Sequence, residues 1–398
     1  TQSTWGHLSC ETKLVDMEKL SQDENLCSLL NSFLNALKDL QSSCNPIIRP
    51  LYCSSSDRFF TLRTLVPQTE KFLHHLNHPQ LSRLALLLSD LKDLINTGQS
   101  TQGFNFASVL HWHFIYYEIH RVSTKIESEI QWFLDGEIVK KIKNSFLAYE
   151  DGECVGEVKV NALRELEKRL NCEFDGNLQE TILKGKVFGL LEKIVSEPGY
   201  GSMVKEQAAA CVLALVRFNK DVFCGLVLMG SIIPDLISMA SSSSIGILIS
   251  LIKLVQAPLI DEMECRGDIK KIVTLFETEE ICLRMRVVDC VNEIAYMGRS
   301  EVVKELLELR VVEKLIDLQR EGLGDEGGAF EEEEMLTSET RWLDEVSRFA
   351  LQVTIGQGLS RKEQSMLKSE ILERIKEASH SEAEAMNIIS KVLWGPFS

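Results

Sequence analysis

The stretch LVLMGSIIPDLISMA, residues 226–240, is apolar enough for a core helix, yet Gly230 and Pro234 interrupt it. In a helix interior Gly costs about 1 kcal/mol and Pro about 3 kcal/mol relative to Ala, so one continuous helix is disfavoured. The interruption recurs. GKVFGLLEKIV begins at Gly185, GSIIPDLISMA at Gly230, GDIKKIVTLFE at Gly267 and RVVEKLIDLQR at Arg310, at intervals of 45, 37 and 43 residues. Each copy is preceded by a further helical pattern: VKVNALRELEKRL, KEQAAACVLALVRF, IGILISLIKLV and LRMRVVDCVNEIA. A period of about forty residues, each unit two or three helices, is the signature of a stacked α-solenoid.

The repeat explains the interruption as a corner between helices. Gly230 is expected to take a left-handed angle just past one helix. Ser231 is expected to cap the next helix, placing Pro234 in its first turn, where a missing N–H leaves no intrahelical bond unmade. A membrane span is not expected. Val222–Ala240 contains Gly225, Gly230, Pro234 and Asp235, and Ile245–Ile260 contains Lys253 and Pro258. Neither offers the ~18 unbroken apolar residues of a span.

Ahead of the repeats, residues 1–150 show helical patterns of another kind. Leu26, Leu29, Leu30, Phe33, Leu34, Leu37 and Leu40 form one apolar face, ended by Asn45, Pro46 and Pro50. Phe59 to Leu65 and Phe72 to Leu76 suggest shorter pieces, and Leu81 to Ile95 a strong third face. After the polar loop 97–103, Val109, Leu110, Phe114, Tyr117, Val122, Ile126, Ile130 and Phe133 run along a long helix. The fold class is therefore all-α: a helical bundle over 1–150, a linker near EDGECVGE (150–157), and a solenoid of four or five repeats over 151–398. EGLGDEGGAFEEEE (321–334) is rich in glycine and like charges and reads as an acidic insertion at about 321–336. SSSS (241–244) reads as an inter-helix loop, and the segments around RWLDEVSRFALQV, KSEILERIKEAS and EAEAMNIISKVLW as closing helices.

The formal charge is −16, which argues against nucleic acid and anionic membrane as general partners. Residues 1–150 carry 14 Lys and Arg against 16 Asp and Glu, leaving 29 against 43 in the remainder. Eleven cysteines include no CxxC pair and fall within helical patterns, so reduced, buried thiols and a cytoplasmic or nuclear location are expected. No basic segment followed by an apolar core opens the chain, so a signal peptide is not expected.

KEQAAACVLALVRFN followed by LVLMGSIIPDLISMA resembles an armadillo repeat, whose third helix is Ala-rich and whose corner has a Gly-x-Ile-Pro-x-Leu pattern. With the Leu-rich region before it, the chain resembles plant armadillo proteins, particularly plant U-box ubiquitin ligases. The Cys-Pro-Ile core and Asp-Pro turn of a U-box do not occur; Ala148–Gly156 leads straight into the repeats, so ligase activity does not carry over. The resemblance implies an armadillo-only adaptor. Armadillo importins carry a Trp and an Asn four residues apart on the third helix; the aligned positions here are Ala210 and Ala214, then Asp289 and Glu293. Nuclear-import function is therefore not implied, while an acidic groove is expected to favour a basic segment.

Catalytic signals are sparse. His74 and His78 share a helical face beside His75, but further zinc ligands are missing and Pro79 ends the segment. His111 and His113 lie on different faces, with Trp112, Tyr116 and Tyr117 around them, and read as bundle packing. No GxSxG elbow, phosphate loop, dinucleotide fingerprint or HExxH motif occurs. The expectation is a non-enzymatic adaptor without cofactor or metal, binding a peptide or helix of a protein partner in the solenoid groove. Lys253, Gln256, Asp289 and Glu293 are the expected groove contacts, on exposed third-helix ridges. Alternative roles are substrate recruitment for ubiquitin ligation, and regulation of trafficking or polarity through membrane docking of the bundle.

Overall fold

The computed structural model describes residues 25–39, 64–71, 73, 81–100, 106–147, 153–324 and 345–394, among which there is no β-strand. The chain divides into two compact units, Thr1–Lys140 and Lys141–Ser398, the division falling within a helix that ends at Leu147. The segment expected as a linker is already helical from Glu153.

The first unit contains α1 (25–39), α2 (64–71), α3 (Ser82–Ser100) and most of α4 (Phe106–Leu147). Leu26, Leu30, Phe33 and Leu37 of α1 meet Leu84, Leu88 and Leu91 of α3 and Ile119, Ile126 and Ile130 of α4 in one core. The expected inner face of α4 needs correction. Phe114 and Tyr117 are exposed, and the buried row is Ile115, Ile119, Val122, Ile126, Ile130 and Phe133. That row keeps steps of three and four, whereas the step from Tyr117 to Val122 breaks the helical period. His74, His75 and His78 lie outside the described residues; His111 is exposed and His113 half-buried.

The second unit is an armadillo-like α-solenoid. It begins with α5 (Glu153–Leu170), followed by four three-helix repeats among the described residues. These are α6 (Gly176–Lys184), α7 (Val187–Ser196) and α8 (Ser202–Phe218); then α9 (Lys220–Met229), α10 (Ile232–Met239) and α11 (Ser242–Val255). Next come α12 (Ala257–Arg266), α13 (Asp268–Thr274) and α14 (Ile281–Met297), then α15 (Ser300–Glu308), α16 (Val311–Gly324) and α17 (Glu345–Ile355). α18 (Arg361–Ala378) and α19 (Glu382–Trp394) close the unit. The helix of RWLDEVSRFALQV is thus a third helix of the last repeat, and only the two later segments cap the end. The four sequence copies are the four second helices, α7, α10, α13 and α16.

Third helices α5, α8, α11, α14 and α17 pack side by side in that order. This placement explains why α8 is apolar around most of its girth: α5, α7 and α11 all cover it. Its alanines let neighbours approach closely, so that Cys211 Sγ donates to the Leu163 carbonyl at 3.1 Å. Phe223, Leu248, Leu251, Ile294 and Phe349 are all fully buried, at about 1.5–3 kcal/mol each relative to exposure. Single surface ion pairs contribute about 0–1 kcal/mol, so packing between repeats dominates stability. At the C-terminal end, Gly356 and Gly358 bring the chain against the end of α14, where the Gln357 N–H donates to the Tyr296 carbonyl at 2.8 Å.

The corner at Gly230 is real, but its chemistry differs from the expectation. α9 and α10 meet there at 69°, and Pro234 is the third residue of α10. Gly230 is extended, with φ −87° and ψ −174°, not left-handed. Glycine is required by crowding: a Cβ at this position would collide with the Glu192 carboxylate and lie 2.9 Å from the Leu226 carbonyl. Ser231 makes no side-chain cap bond; its N–H donates to Glu192 Oε1 at 2.7 Å. Arg266 from α12 donates to the carbonyls of Gly230 and Leu228, at 2.9 and 2.6 Å, satisfying the open end of α9. The left-handed residue falls in the other three corners, at Lys186, Gly267 and Arg310, each directly before the second helix.

Two smaller expectations also change. Ser241–Ser244 is a helix start: Ser241 caps α11 by accepting from the Ser244 N–H, and the Ser244 hydroxyl lies against the Ser241 N–H. Serine hydroxyls supply acceptors that a helix N-terminus lacks, which converts the expected loop into a capping box. The acidic segment begins within α16, whose last residues are Glu321–Gly324; its remainder lies outside the described residues. Among the described residues no single helix is long and apolar enough to cross a membrane, and the bent α9–α10 pair is packed into the repeats.

Candidate functional site: the third-helix face

The sequence of each third helix decides which of its residues look outward. In α8, Val204, Ala208, Cys211 and Leu215 are buried against neighbours, while Met203, Gln207 and Ala210 retain access to solvent. In α11 the outward row is Ser243, Gly246, Ser250 and Lys253; in α14 it is Cys282, Arg286, Asp289 and Glu293. Steps of three and four keep each row on one side of its helix. Because the third helices lie side by side, the rows form one continuous face.

Polar contacts tie the rows together. Gln207 of α8 donates to Glu167 of α5 at 2.6 Å. Lys253 of α11 reaches Glu293 of α14 at 3.0 Å. Arg348 of α17 reaches Asp289 of α14 at 3.0 Å and Glu345 of its own helix at 3.5 Å. Arg286 approaches the other oxygen of Asp289 at 4.0 Å. Asn292 is buried beside them, its amide 3.5 Å from Glu345 and its Oδ1 without a hydrogen-bond partner. The middle of the face, at Ala210, Gly246 and Ser250, carries short side chains that let another backbone come close.

No protein-family model matches the chain, and no curated protein matches it. Solved structures do resemble it in part. A designed armadillo repeat protein aligns at 14% identity over 66% of this chain and 99% of that one, with a TM-score of 0.41. Computationally designed armadillo repeat proteins for modular peptide recognition align at 14% identity over 65% and 98%, with a TM-score of 0.41. A designed armadillo repeat protein in complex with the peptide (KR)4 aligns at 15% identity over 65% and 98%, with a TM-score of 0.40. The repeat architecture described above stands on the helix order and contacts of this chain itself.

Of the four residues singled out in the sequence, the fold brings three together. Lys253, Asp289 and Glu293 sit on adjacent third helices, Lys253 paired with Glu293 and Asp289 paired with Arg348. Gln256 stands apart, at the junction between α11 and α12, exposed and with φ 69°. Arg286 and Arg348 both address Asp289; nothing marked them in the sequence, although Arg286 lies one turn before Asp289 on the same helix.

Charge on this face is balanced, with Lys253, Arg286 and Arg348 set against Glu293, Asp289 and Glu345. Helices α8, α11, α14 and α17 carry six cations (Lys205, Arg217, Lys253, Arg284, Arg286 and Arg348) and four carboxylates, Glu206, Asp289, Glu293 and Glu345. The first and second helices, from α6 to α16, carry nine cations and fourteen carboxylates. The excess of carboxylates in the repeats therefore lies on the first and second helices.

Other concavities are shallower in chemistry. An apolar cleft of about 370 Å³ lies between α6, α7 and α9, against Ile182, Leu183, Phe188 and Met229, with Glu192 at its edge. A second, about 440 Å³, follows Tyr117, His120, Arg121 and Lys125 along α4. Among the described residues no group of three or more His, Cys, Asp or Glu is placed to hold a metal ion. Burial pushes the Cys211 and Cys290 thiols far up, so neither is a ready nucleophile. Cys172, Cys265 and Cys282 are exposed, which corrects the expectation of uniformly buried cysteines.

Proposed function

We propose that this chain is a non-enzymatic binding scaffold whose third-helix face holds an extended segment or helix of a protein partner. One observation carries the reading: five third helices stand side by side, and the outward rows of α8, α11 and α14 are solvent-accessible with short residues at their centre. Such a face is longer than a small-molecule cleft and matches the reach of an extended peptide. A display library of extended peptides, selected on the immobilised full chain, tests it. Peptides enriched on the unmodified protein should lose binding to a Ser250→Trp variant that melts normally, because the indole fills the row. Enriched peptides that bind both proteins equally would place the binding surface elsewhere.

The resemblance to the armadillo branch without a U-box supports a finer reading, an adaptor in signalling or in substrate recruitment for ubiquitin ligation. Its support is the quoted repeat motifs. Binding of the full chain to a purified ubiquitin ligase, measured by interferometry, checks that role.

A further inference from the structure

We propose that the third-helix face selects an acidic segment, with a partner carboxylate seated between Arg286 and Arg348; this rests on the third-helix face being the binding surface. Each paired carboxylate lies below its cation: side-chain exposure is 14% for Asp289, 23% for Glu293 and 4% for Glu345. It is 56% for Lys253, 51% for Arg286 and 41% for Arg348. An approaching chain therefore meets positive groups first.

Arg286 is also under-used. A guanidinium offers five N–H donors in a fixed fork. Among the described residues, the contact recorded for Arg286 is its 4.0 Å approach to Asp289, too long for a hydrogen bond. Arg286 and Arg348 address opposite oxygens of that one carboxylate, so their heads converge over α14. A second carboxylate above them takes charge-assisted hydrogen bonds from both, with Lys253 one helix away for the next acidic residue. Basic segments, by contrast, face exposed cations and must displace one to reach Asp289 or Glu293.

Fluorescence anisotropy on the full chain tests this with two labelled dodecapeptides, one repeating Glu-Leu-Ser and the other Lys-Leu-Ser. The acidic peptide is expected to bind about ten-fold tighter or better, equivalent to the ~1.4 kcal/mol of a decade, and to weaken as salt rises. Arg286→Glu, an exposed change that leaves the buried Glu345 paired, should abolish the preference. Arg348→Lys keeps the charge and loses the fork, and should give an intermediate loss. Equal or tighter binding of the lysine peptide overturns the proposal, as does unchanged acidic-peptide affinity in folded Arg286→Glu. Library peptides that depend on Ser250 yet are neutral or basic would overturn the charge selection and leave the binding face standing. Peptides indifferent to Ser250 would remove the face itself.

Discussion

Two glycine corners that look alike in sequence use glycine for opposite reasons. Gly267, between α12 and α13, holds φ +70°, and a Cβ there would meet nothing within 4 Å. Gly230, between α9 and α10, has an ordinary negative φ and almost no room, because Glu192 and the Leu226 carbonyl press against it. One glycine is kept for its backbone angle and the other for its missing side chain. Both join a first helix to a second helix of the same repeat, so the corner can be closed in two ways. In the Gly230 corner the left-handed residue is replaced by an inter-repeat clasp: Glu192 of α7 takes the Ser231 N–H, and Arg266 of α12 takes two carbonyls.

The difference can be broken experimentally, beginning where the effect is largest. Gly230→Val should cost about 1–3 kcal/mol by urea unfolding, the range for forcing extra carbon atoms into a packed site. In a Glu192→Ala background the cost of Gly230→Ala should shrink by roughly 0.5–1 kcal/mol, since the two positions share one clash. Additive costs would show that crowding by Glu192 is not the reason for glycine. Gly267→Ala should cost about 1 kcal/mol, all of it from the left-handed angle, with no dependence on neighbouring side chains. Full tolerance of alanine in a thermal melt would contradict the angle-based account. Smallest is Lys186→Gly, at φ 52° in the first corner, which should stabilise by up to about 1 kcal/mol as angle relief exceeds the entropy of glycine. A destabilised Lys186→Gly protein would mean that the lysine side chain contributes more than its backbone strain removes.

These corners also mark how far periodicity reaches. The four copies were legible because the second helices bury residues such as Val187, Ile232, Ile269 and Val311 at matching places, and burial demands apolar chemistry whatever the neighbours. Register within the corner was not legible. Aligning Gly185 with Gly267 hides that the left-handed angle belongs to Lys186, one residue later, because φ depends on where the chain must turn. The short first helices, α6, α9, α12 and α15, left weaker signals: each has only nine or ten residues, too few turns for a long apolar period. Similarly, Asp289 and Glu293 could be placed on a third helix by spacing, but Arg348 lies 59 residues from Asp289 and reaches it only through stacking.

The sequence by itself determined that the chain is helical, that its C-terminal part repeats, and that Gly230 and Pro234 mark a joint. Those properties follow from local rules: apolar period, the missing N–H of proline and the absent side chain of glycine. Tertiary structure alone decided the reason for Gly230, because Glu192 arrives from another repeat. It also decided which charges on the outward face are exposed. Net charge is a sum over the chain, whereas a partner meets only the layer outside, and stacking brought Arg348 and Lys253 to the less exposed Asp289 and Glu293.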